Sequence, residues 1–278
     1  MPILYFSYVA LDTPSACQTH TLGILGGFAA NGCRLDAVVP RPSVPLPQRE
    51  LIKFHFLNPY HGGRRYVLRE VLASAAVLWS LCRRHHFDAI YARDMDVFVG
   101  PRLCSQFFGI PLYLEVDDTP VERDYPGLIR KAVELNLKLD YRQAAGLIVP
   151  SLPRCRIINR QYQVPWPKIH LILNGTDELD WGLLPTKAEA RQRLGLPADS
   201  FCLGYLGVIY ERYDFATMLT AMAICLPLIP NLFFIIVGGG SSLEDVKRQA
   251  VNLGLADRVV FTGFLPPEKF AQVLPAMD

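Results

Sequence analysis

Residues 87–118 read FDAIYARDMDVFVGPRLCSQFFGIPLYLEVDD, and this stretch decides the fold class. Short apolar runs at 89–92 and 112–116 predict two strands, and apolar residues at helical spacing in 97–108 predict a helix between them. A helical crossover of this length joins parallel neighbours in one sheet. The stretch therefore predicts a βαβ unit and an α/β protein.

The same alternation extends in both directions, so most of the chain reads as βα units. Residues 178–199 lack a strand signal and carry Pro185 and Pro197 at their turns. We therefore predict a first domain at 1–177, a linker at 178–199 and a partial second domain at 200–278. The predicted strands are 3–8, 35–39, 53–57, 89–92, 112–116, 146–149, 169–173, 202–206, 233–237 and 259–262. The predicted helices are 16–30, 66–81, 97–108, 128–144, 187–194, 215–223, 243–253 and 267–276.

Composition indicates an ordinary globular protein. The 278 residues are 51% hydrophobic and 19% charged, which excludes a disordered chain. No basic region precedes the first apolar run, and no run approaches the roughly 18 apolar residues of a spanning helix. The seven cysteines show no C-x-x-C spacing, as is typical of a reducing compartment. We expect a cytoplasmic protein.

Charge is distributed unevenly. Residues 1–170 carry 20 Lys and Arg against 14 Asp and Glu, although the net charge is only +2. The apolar helix at 71–82 also ends in the sequence RRHH at 83–86. These features suit peripheral contact with the inner face of an anionic membrane. The alternatives are a solvated basic face and a helix simply packed on a sheet, and no nucleic-acid partner is expected.

Several short motifs fall in an order that resembles the glycosyl transferases group 1 family of retaining enzymes. They are QTHT at 18–21, FDAIYARD at 87–94, GIPLYLEVDD at 109–118, AAGLIVPS at 144–151 and LILNGTD at 171–177. The resemblance implies a GT-B-like α/β fold, with two Rossmann-like parallel-sheet domains facing a cleft. The second domain is expected to be incomplete, because the chain stops before the family's pair of glutamates. The chain alone can therefore be inactive.

The family resemblance also implies an activity. Members of the family transfer a sugar with retention from a nucleotide-diphosphate sugar, and the acceptor is a sugar, a lipid or a small molecule. They generally work without a bound metal or other cofactor. The sequence DMD at 94–96 also spells the D-x-D of metal-dependent transferases, but three residues match easily by chance, so we assign no metal.

On the acceptor side, the resemblance places Asp117 and Glu115 at catalytic positions and Gln18, His20 and Arg93 at acceptor-binding positions. A carboxylate there can accept hydrogen bonds from sugar hydroxyls or support an oxocarbenium-like transition state. Two structural alternatives remain open. Arg93 can pair with Asp94, Asp96 or Glu115 to fix loops. Asp117 or Asp118 can cap the turn ahead of Pro120.

On the donor side, the resemblance assigns Gly207, Arg212, Gly239 and Ser15. Cations near a leaving diphosphate stabilise the charge that grows in the transition state, and Arg212 fits the second of two cations that the family supplies. Val208 stands where the first is expected. In GGGSS at 238–242, glycines keep the backbone clear for the donor, or form a plain turn before a capping box of Ser241 and Glu244.

Four other functions are alternatives to glycosyl transfer. A non-catalytic GT-B-like binding module, or a degenerate transferase partner, fits the departures from the family pattern at Val208 and Asp117. A sugar-nucleotide epimerase would share the GT-B-like architecture. A phosphorylase would need a lysine that holds pyridoxal phosphate, and the C-terminal segment of this sequence offers no promising one. A dehydrogenase is disfavoured, because no G-x-G-x-x-G follows a strand.

Overall fold

The computed structural model describes residues 1–12, 15–46, 50–58, 64–93, 99–117, 127–175 and 184–278. The chain divides into two compact units, Met1–Asp177 and Glu178–Asp278.

The first unit is built on a seven-stranded, all-parallel sheet in the order β3-β2-β1-β4-β5-β6-β7. Its order reverses between β1 and β4, which is the topological switch point of a Rossmann-like sheet. Ligands of such sheets bind beyond the carboxyl ends of the strands at this point. The strands are β1 Pro2–Phe6, β2 Arg34–Pro40, β3 Ile52–Leu57, β4 Ala89–Arg93, β5 Leu112–Glu115, β6 Gly146–Val149 and β7 Ile169–Leu171.

Helices cover both faces of this sheet. They are α1 Ala16–Ala30, α2 Arg64–Arg84, α3 Val99–Phe108, α4 Gly127–Gln143 and α5 Leu152–Tyr162. In β1, Ile3 and Tyr5 point to the core under α1, and Leu4 and Phe6 point to the core under α2 to α5. This alternation follows from the two-residue period of a strand, and it explains why β1 is apolar throughout.

The start of α1 is held by a side-chain cap, and its end by a glycine. Ser15 Oγ accepts a hydrogen bond from the backbone N–H of Gln18 at 3.0 Å. Gly32 follows the helix with a φ of +74°, a conformation that residues with a Cβ rarely adopt. The Ser15 cap fixes the end of the loop between β1 and α1, and Gly32 turns the chain from α1 into β2.

The second unit has a three-stranded parallel sheet in the order β10-β9-β8. The central strand β9 is buried at every residue, as expected for a strand covered on both faces. Its strands are β8 Phe201–Leu206, β9 Leu232–Val237 and β10 Val259–Gly263. Its helices are α6 Lys187–Arg193, α7 Phe215–Cys225, α8 Leu243–Asn252 and α9 Pro267–Val273, and a 3-10 turn at Leu274–Ala276 follows.

The structure differs from the sequence-based elements of the first unit at several places. Strand β1 ends at Phe6 rather than at residue 8, and helix α2 is longer at both ends than the predicted 66–81. Helix α5 was not predicted, because Pro153 and a run of polar residues hide its apolar face. That face consists of Cys155, Ile158 and Tyr162, which are buried. Strand β7 ends at Leu171, although the predicted strand extended to residue 173.

Part of the predicted linker belongs to the second unit. Helix α6 starts with a capping box of Thr186 and Glu189 and buries Ala190 in the core. The guanidinium of Arg191 is also buried and donates hydrogen bonds to the carbonyl oxygens of Ala276 and Ala198. Residues 187–199 therefore pack onto the second sheet, although they contain no strand of their own.

Among the described residues, no helix is both long enough and apolar enough to cross a membrane.

Candidate functional site

The charged cluster of the first unit lies at the switch point of its sheet. Arg93 is the last residue of β4, Glu115 is the last residue of β5, and the two are register partners. Asp117 follows β5 by two residues, and His20 lies in the second turn of α1. Neighbouring parallel strands direct register partners to the same face, so the cluster follows from the topology.

Arg93 is the centre of the cluster. Its Nη2 lies 2.5 Å from Asp117 Oδ2, and its Nε lies 3.5 Å from Glu115 Oε1. Its Nη1 donates to Thr21 Oγ1 at 3.1 Å and lies 3.4 Å from the carbonyl oxygen of Cys17. Arg93 therefore ties the start of α1 to the loop after β5.

Glu115 is fully occupied by its neighbours. His20 Nε2 contacts its Oε1, and the hydroxyl of Tyr91 donates to its Oε2 at 2.9 Å. The ring of Tyr91 is itself fixed by stacking on Tyr5, with ring centroids 5.7 Å apart, and by an edge contact with Phe28. Because both oxygens are engaged, Glu115 can orient His20 but has little capacity left for a ligand.

Burial and charge pairing shift three pKa values in the cluster. The contact with Glu115 raises the pKa of His20, although partial burial opposes the shift. Burial raises the pKa of Asp117 even though the guanidinium of Arg93 favours the charged carboxylate. Burial lowers the pKa of Arg93, but Asp117 and Glu115 outweigh it, and the net direction is upward. Arg93 is therefore charged in the cluster, and His20 stays protonated to a higher pH than an ordinary histidine does.

The cluster also has the donor set of a cation site. His20, Glu115 and Asp117 each offer one ligand atom, and these atoms lie within 4.8 Å of one another. The guanidinium of Arg93, however, already contacts both carboxylates and supplies the positive charge that a metal ion would bring. Repulsion from Arg93 makes the cluster a poor metal site.

Exposure separates the cluster into two pairs. The side chains of Arg93 and Glu115 are 4% and 3% exposed, whereas those of His20 and Asp117 are each 20% exposed. His20 and Asp117 are thus the groups that a ligand can reach. Arg93 forms ion pairs with Glu115 and Asp117. Pairing with Glu115 was one of the structural alternatives that the sequence left open.

Two of the other predicted residues in the first unit make local structural contacts. Ser15, assigned to the donor, caps α1. Gln18, assigned to the acceptor, donates from Nε2 to the carbonyl oxygen of Leu11 at 2.8 Å, which ties α1 to the loop that follows β1. Neither side chain contacts the charged cluster through a hydrogen bond among the described residues.

Three loops interlock at the carboxyl edge of the second sheet. Ile209 N–H donates to the carbonyl oxygen of Gly239, and Ser242 N–H donates to that of Ile209. Gly238 N–H donates to the carbonyl oxygen of Gly263. The glycine-rich turn after β9 therefore lies against the loops after β8 and β10, where a Rossmann-like sheet binds its ligands.

Glycine is required at two positions of this edge by conformation. Gly207 and Gly238 have φ angles of +154° and +142°, a region that strains residues with a Cβ. The glycines thus shape a close backbone contact.

The predicted capping box of Ser241 and Glu244 is wrong. Helix α8 begins after Ser242, which makes no side-chain cap, and Glu244 instead pairs with Lys247 at 2.8 Å.

Arg212, the predicted donor cation, is exposed on the loop after β8. Its guanidinium lies over the rings of Tyr210 and Tyr213, 5.9 Å and 5.2 Å from their centroids. Asp214 follows and caps α7 by accepting from the backbone N–H of Thr217 at 3.0 Å.

Some predicted features lie outside the described residues. These are the D-x-D aspartates Asp94 and Asp96, the capping candidate Asp118, and Thr176 and Asp177 at the end of the LILNGTD motif.

Two residues of the cluster were not singled out from the sequence as site residues. Tyr91 orients Glu115, and Thr21 binds Arg93. The strand period carried a signal for Tyr91, which is two residues before Arg93 and therefore on the same face. For Thr21 the signal was weaker, since only its position beside His20 pointed to the site.

An all-parallel sheet of this order, with a charged cluster at its switch point, is typical of Rossmann-like ligand-binding domains. Residues 17–178 match the family described as Glycosyltransferase Family 4, and residues 186–278 match Glycosyl transferases group 1. The first match covers more than half of the chain, and the chain belongs to this family of glycosyltransferases. The predicted resemblance to the group 1 glycosyltransferases is confirmed.

Individual relatives agree with the family. A 2-deoxystreptamine glucosyltransferase of Streptomyces kanamyceticus is 26% identical over 139 residues, which cover 49% of this chain and 36% of the relative. A D-inositol 3-phosphate glycosyltransferase of Streptomyces scabiei is 26% identical over 257 residues, which cover 83% of this chain and 56% of the relative. The chain thus spans less than two thirds of the length of these relatives.

The fold also matches a solved structure. The crystal structure of Anabaena HepE in complex with UDP and glucose is similar with a TM-score of 0.70 at 19% identity, over 100% of this chain and 72% of HepE. This likeness shows the fold, and the predicted GT-B-like α/β architecture is confirmed.

Proposed function

We propose that this chain is part of a glycosyltransferase that moves a sugar, with retention, from a nucleotide-diphosphate sugar to an unidentified acceptor. The observation that carries the proposal is the charged cluster of Arg93, Glu115, His20 and Asp117 at the switch point of the first sheet. The family to which the chain belongs supports the reaction class. UDP and glucose bound to the structurally similar HepE support a nucleotide-sugar donor.

In the proposed reaction, the bond between C1 of the donor sugar and the diphosphate oxygen breaks, and its electron pair leaves with the diphosphate. The acceptor hydroxyl forms the new bond to C1 on the same face, and its proton passes to the departing phosphate. No metal or other cofactor is required. The transition state carries positive charge on the sugar, which a nearby carboxylate stabilises.

The accessible pair of the cluster is assigned to the reacting sugars. Asp117 and His20 are the more accessible members. The carboxylate of Asp117 can accept a hydrogen bond from a sugar hydroxyl, and protonated His20 can donate one. Glu115 orients His20, and Arg93 positions Asp117, so these two are positioning residues. This division modifies the catalytic role that the motifs gave to Glu115 and the acceptor-binding role that they gave to Arg93.

The donor is assigned to the glycine-rich edge of the second unit. Gly207 and Gly239 present backbone without side chains, and Arg212 supplies a cation on the neighbouring loop. The donor role that the motifs gave to Ser15 stays a prediction, and its hydroxyl oxygen caps α1.

The cellular setting is also part of the proposal. All seven cysteines lie in described ranges as free thiols, which suits the reducing cytoplasm. A sugar, lipid or small-molecule acceptor is compatible with the accessible pair. Contact with the inner face of a membrane is proposed as well, and it depends on a different surface of the first unit.

The test of the donor assignment is calorimetric titration with UDP and GDP. It compares this chain with a version extended at its C-terminus to the length of the relatives. We expect the extended version to bind one nucleotide and to yield, with the matching sugar nucleotide, a product whose anomeric configuration is retained in proton NMR spectra. Asp117→Asn should abolish transfer and leave nucleotide affinity within twofold. Absence of nucleotide binding in both versions would contradict the proposal.

A non-catalytic binding module is the second candidate. Val208 replaces a cation that the family resemblance leads one to expect, and its carbonyl oxygen accepts a hydrogen bond from Tyr205. Asp117 is also neutralised by Arg93. Nucleotide binding without any transfer by the extended version would favour this candidate over an enzyme.

A further inference from the structure

The outward sides of α2 and α3 carry large apolar side chains. Leu72 is 62% exposed and Trp79 is 37% exposed on α2, and Leu103 and Phe107 are 46% and 70% exposed on α3. The first two are seven residues apart and the second two are four apart, so each pair lies along one side of its helix. A helix that covers a sheet normally directs polar residues outward.

The aromatic side chains at the ends of α2 and α3 contact one another. The ring centroids of Trp79 and Phe107 are 4.6 Å apart, and those of Trp79 and Phe108 are 5.0 Å apart. The rings of Phe107 and Phe108 are also 5.0 Å apart. We refer to Leu72, Trp79, Leu103, Phe107 and Phe108 as the aromatic face.

The core of the unit does not account for the exposed members of the aromatic face. Leu78 and Leu81 of α2 and Cys104 of α3 fill the space between these helices and the sheet, and all three are buried. Phe107 lies one turn beyond Cys104, near the end of α3, and its side chain is nevertheless exposed. Contiguous exposed apolar surface of this kind marks an interaction site more often than chance.

Positive charge surrounds the aromatic face. Arg83 is one turn beyond Trp79 on the same side of α2, and Arg84 follows it; both are exposed. Helix α4, the neighbour of α3, adds the exposed Lys131. The guanidinium groups stand at the end of α2, where long basic side chains can reach lipid headgroups.

Negative charge on this side is sparse and already neutralised. Among the described side chains of α2, α3 and α4, the carboxylates are Glu134 and Asp140. Glu134 pairs with Arg130 at 2.9 Å, and Asp140 is buried against Arg102 at 2.8 Å. Among the side chains that the structure describes on these three helices, the exposed charge that is not paired is therefore positive.

We propose that the aromatic face docks on the surface of an anionic lipid bilayer, with Arg83 and Arg84 at the headgroups. Indole and phenyl rings insert at the boundary between headgroups and acyl chains, and basic residues are attracted to anionic lipids. A symmetric contact between two copies of this face would bring the arginines of both copies together, so charge complementarity selects the lipid. The inference specifies the membrane contact of the proposed function and is independent of the donor site.

The experiment is flotation of the purified chain with vesicles. Phosphatidylcholine vesicles are compared with vesicles that also contain phosphatidylglycerol, at low and high salt. We expect binding only to the anionic vesicles, with loss at high salt because the headgroup attraction is screened. Emission from Trp79, measured with the other two tryptophans replaced by Phe, should shift to shorter wavelength on binding.

Variants assign the binding to this face. Phe107→Ser should lower the partition coefficient about tenfold, because a phenyl ring leaves the bilayer boundary. Replacing Arg83 and Arg84 together by Gln should lower it by about fivefold per arginine. Phe264→Ser is the matched control, since Phe264 is 60% exposed in the second unit and should leave the partition coefficient unchanged.

Three outcomes would overturn the proposal. They are no preference for anionic vesicles, a Phe107→Ser variant that binds like the unchanged chain, and equal losses for Phe107→Ser and Phe264→Ser. A concentration-dependent dimer in light scattering that Phe107→Ser abolishes would assign the face to a second copy instead. Circular dichroism of each variant confirms that it is folded, and nucleotide titration is not part of the readout.

Discussion

Adding one methyl group at Gly240 should damage the second unit, whereas adding it at the adjacent Gly239 should not. A Cβ on Gly240 would overlap the carbonyl oxygen of Ile209 and lie 2.7 Å from its backbone carbon and nitrogen. A Cβ on Gly239 would have its nearest neighbours at 4.0 Å, on Phe264. The two positions are therefore a matched pair that differs in space alone.

The expected cost follows from what must move. Ile209 is held by hydrogen bonds to Gly239 and Ser242, so its backbone can retreat only by weakening them. Two such bonds contribute about 1 kcal/mol each, and overpacking adds about 1–3 kcal/mol. Gly240→Ala should therefore lower the free energy of unfolding by about 3 kcal/mol or more. For a unit of this size, that corresponds to a fall in Tm of about 12 °C or more.

Urea and thermal unfolding followed by circular dichroism measure the effect in both variants. Gly239→Ala should stay within about 0.5 kcal/mol of the unchanged chain, as is usual for a substitution without a clash. If donor phosphates approach Gly239, the same variant should weaken nucleotide binding about tenfold at unchanged stability. If both variants are as stable as the unchanged chain, or if both are destabilised by the same amount, the packing of the glycine-rich turn against the loop after β8 is refuted.

Three further predictions concern other parts of the chain. Arg93→Met should lower the free energy of unfolding by about 3–5 kcal/mol in urea, because two carboxylates lose their buried partner; a loss below about 1 kcal/mol would contradict the ion pairs. Glu115 raises the pKa of His20 in the folded protein. The stability that the contact between protonated His20 and Glu115 contributes is therefore fully present below about pH 6.5, the ordinary pKa of histidine, and is lost as pH rises through the raised pKa of His20. Tm should therefore fall over that window in the unchanged chain and less in His20→Gln, and parallel Tm profiles would count against the contact. Asp214→Ala should cost about 1 kcal/mol because Asp214 caps α7, whereas Ser242→Ala should cost less because Ser242 makes no side-chain cap; equal costs would count against the cap assignment.

The candidate site was only partly accessible to sequence reasoning. His20, Arg93, Glu115 and Asp117 were named from motifs, and the structure brings all four together because β4 and β5 are parallel neighbours beside α1. Their division into an exposed and a buried pair could not be predicted, since burial depends on side chains from three separate elements. Gln18, named from the same motif as His20, and Ser15, named from the loop before it, instead hold the start of α1.

The sequence alone determined the class of fold and the positions of most strands and helices. Strand period, helical spacing and glycine positions are local signals, and they sufficed for β1 to β10 and for eight of the nine helices of the described residues. Helix α5 and the packing of α6 onto the second sheet were decided only by tertiary contacts. The same holds for the ion pairs of Arg93, the contact between Gly240 and Ile209, and the exposed aromatic face, because each depends on residues that are distant along the chain and meet only after folding.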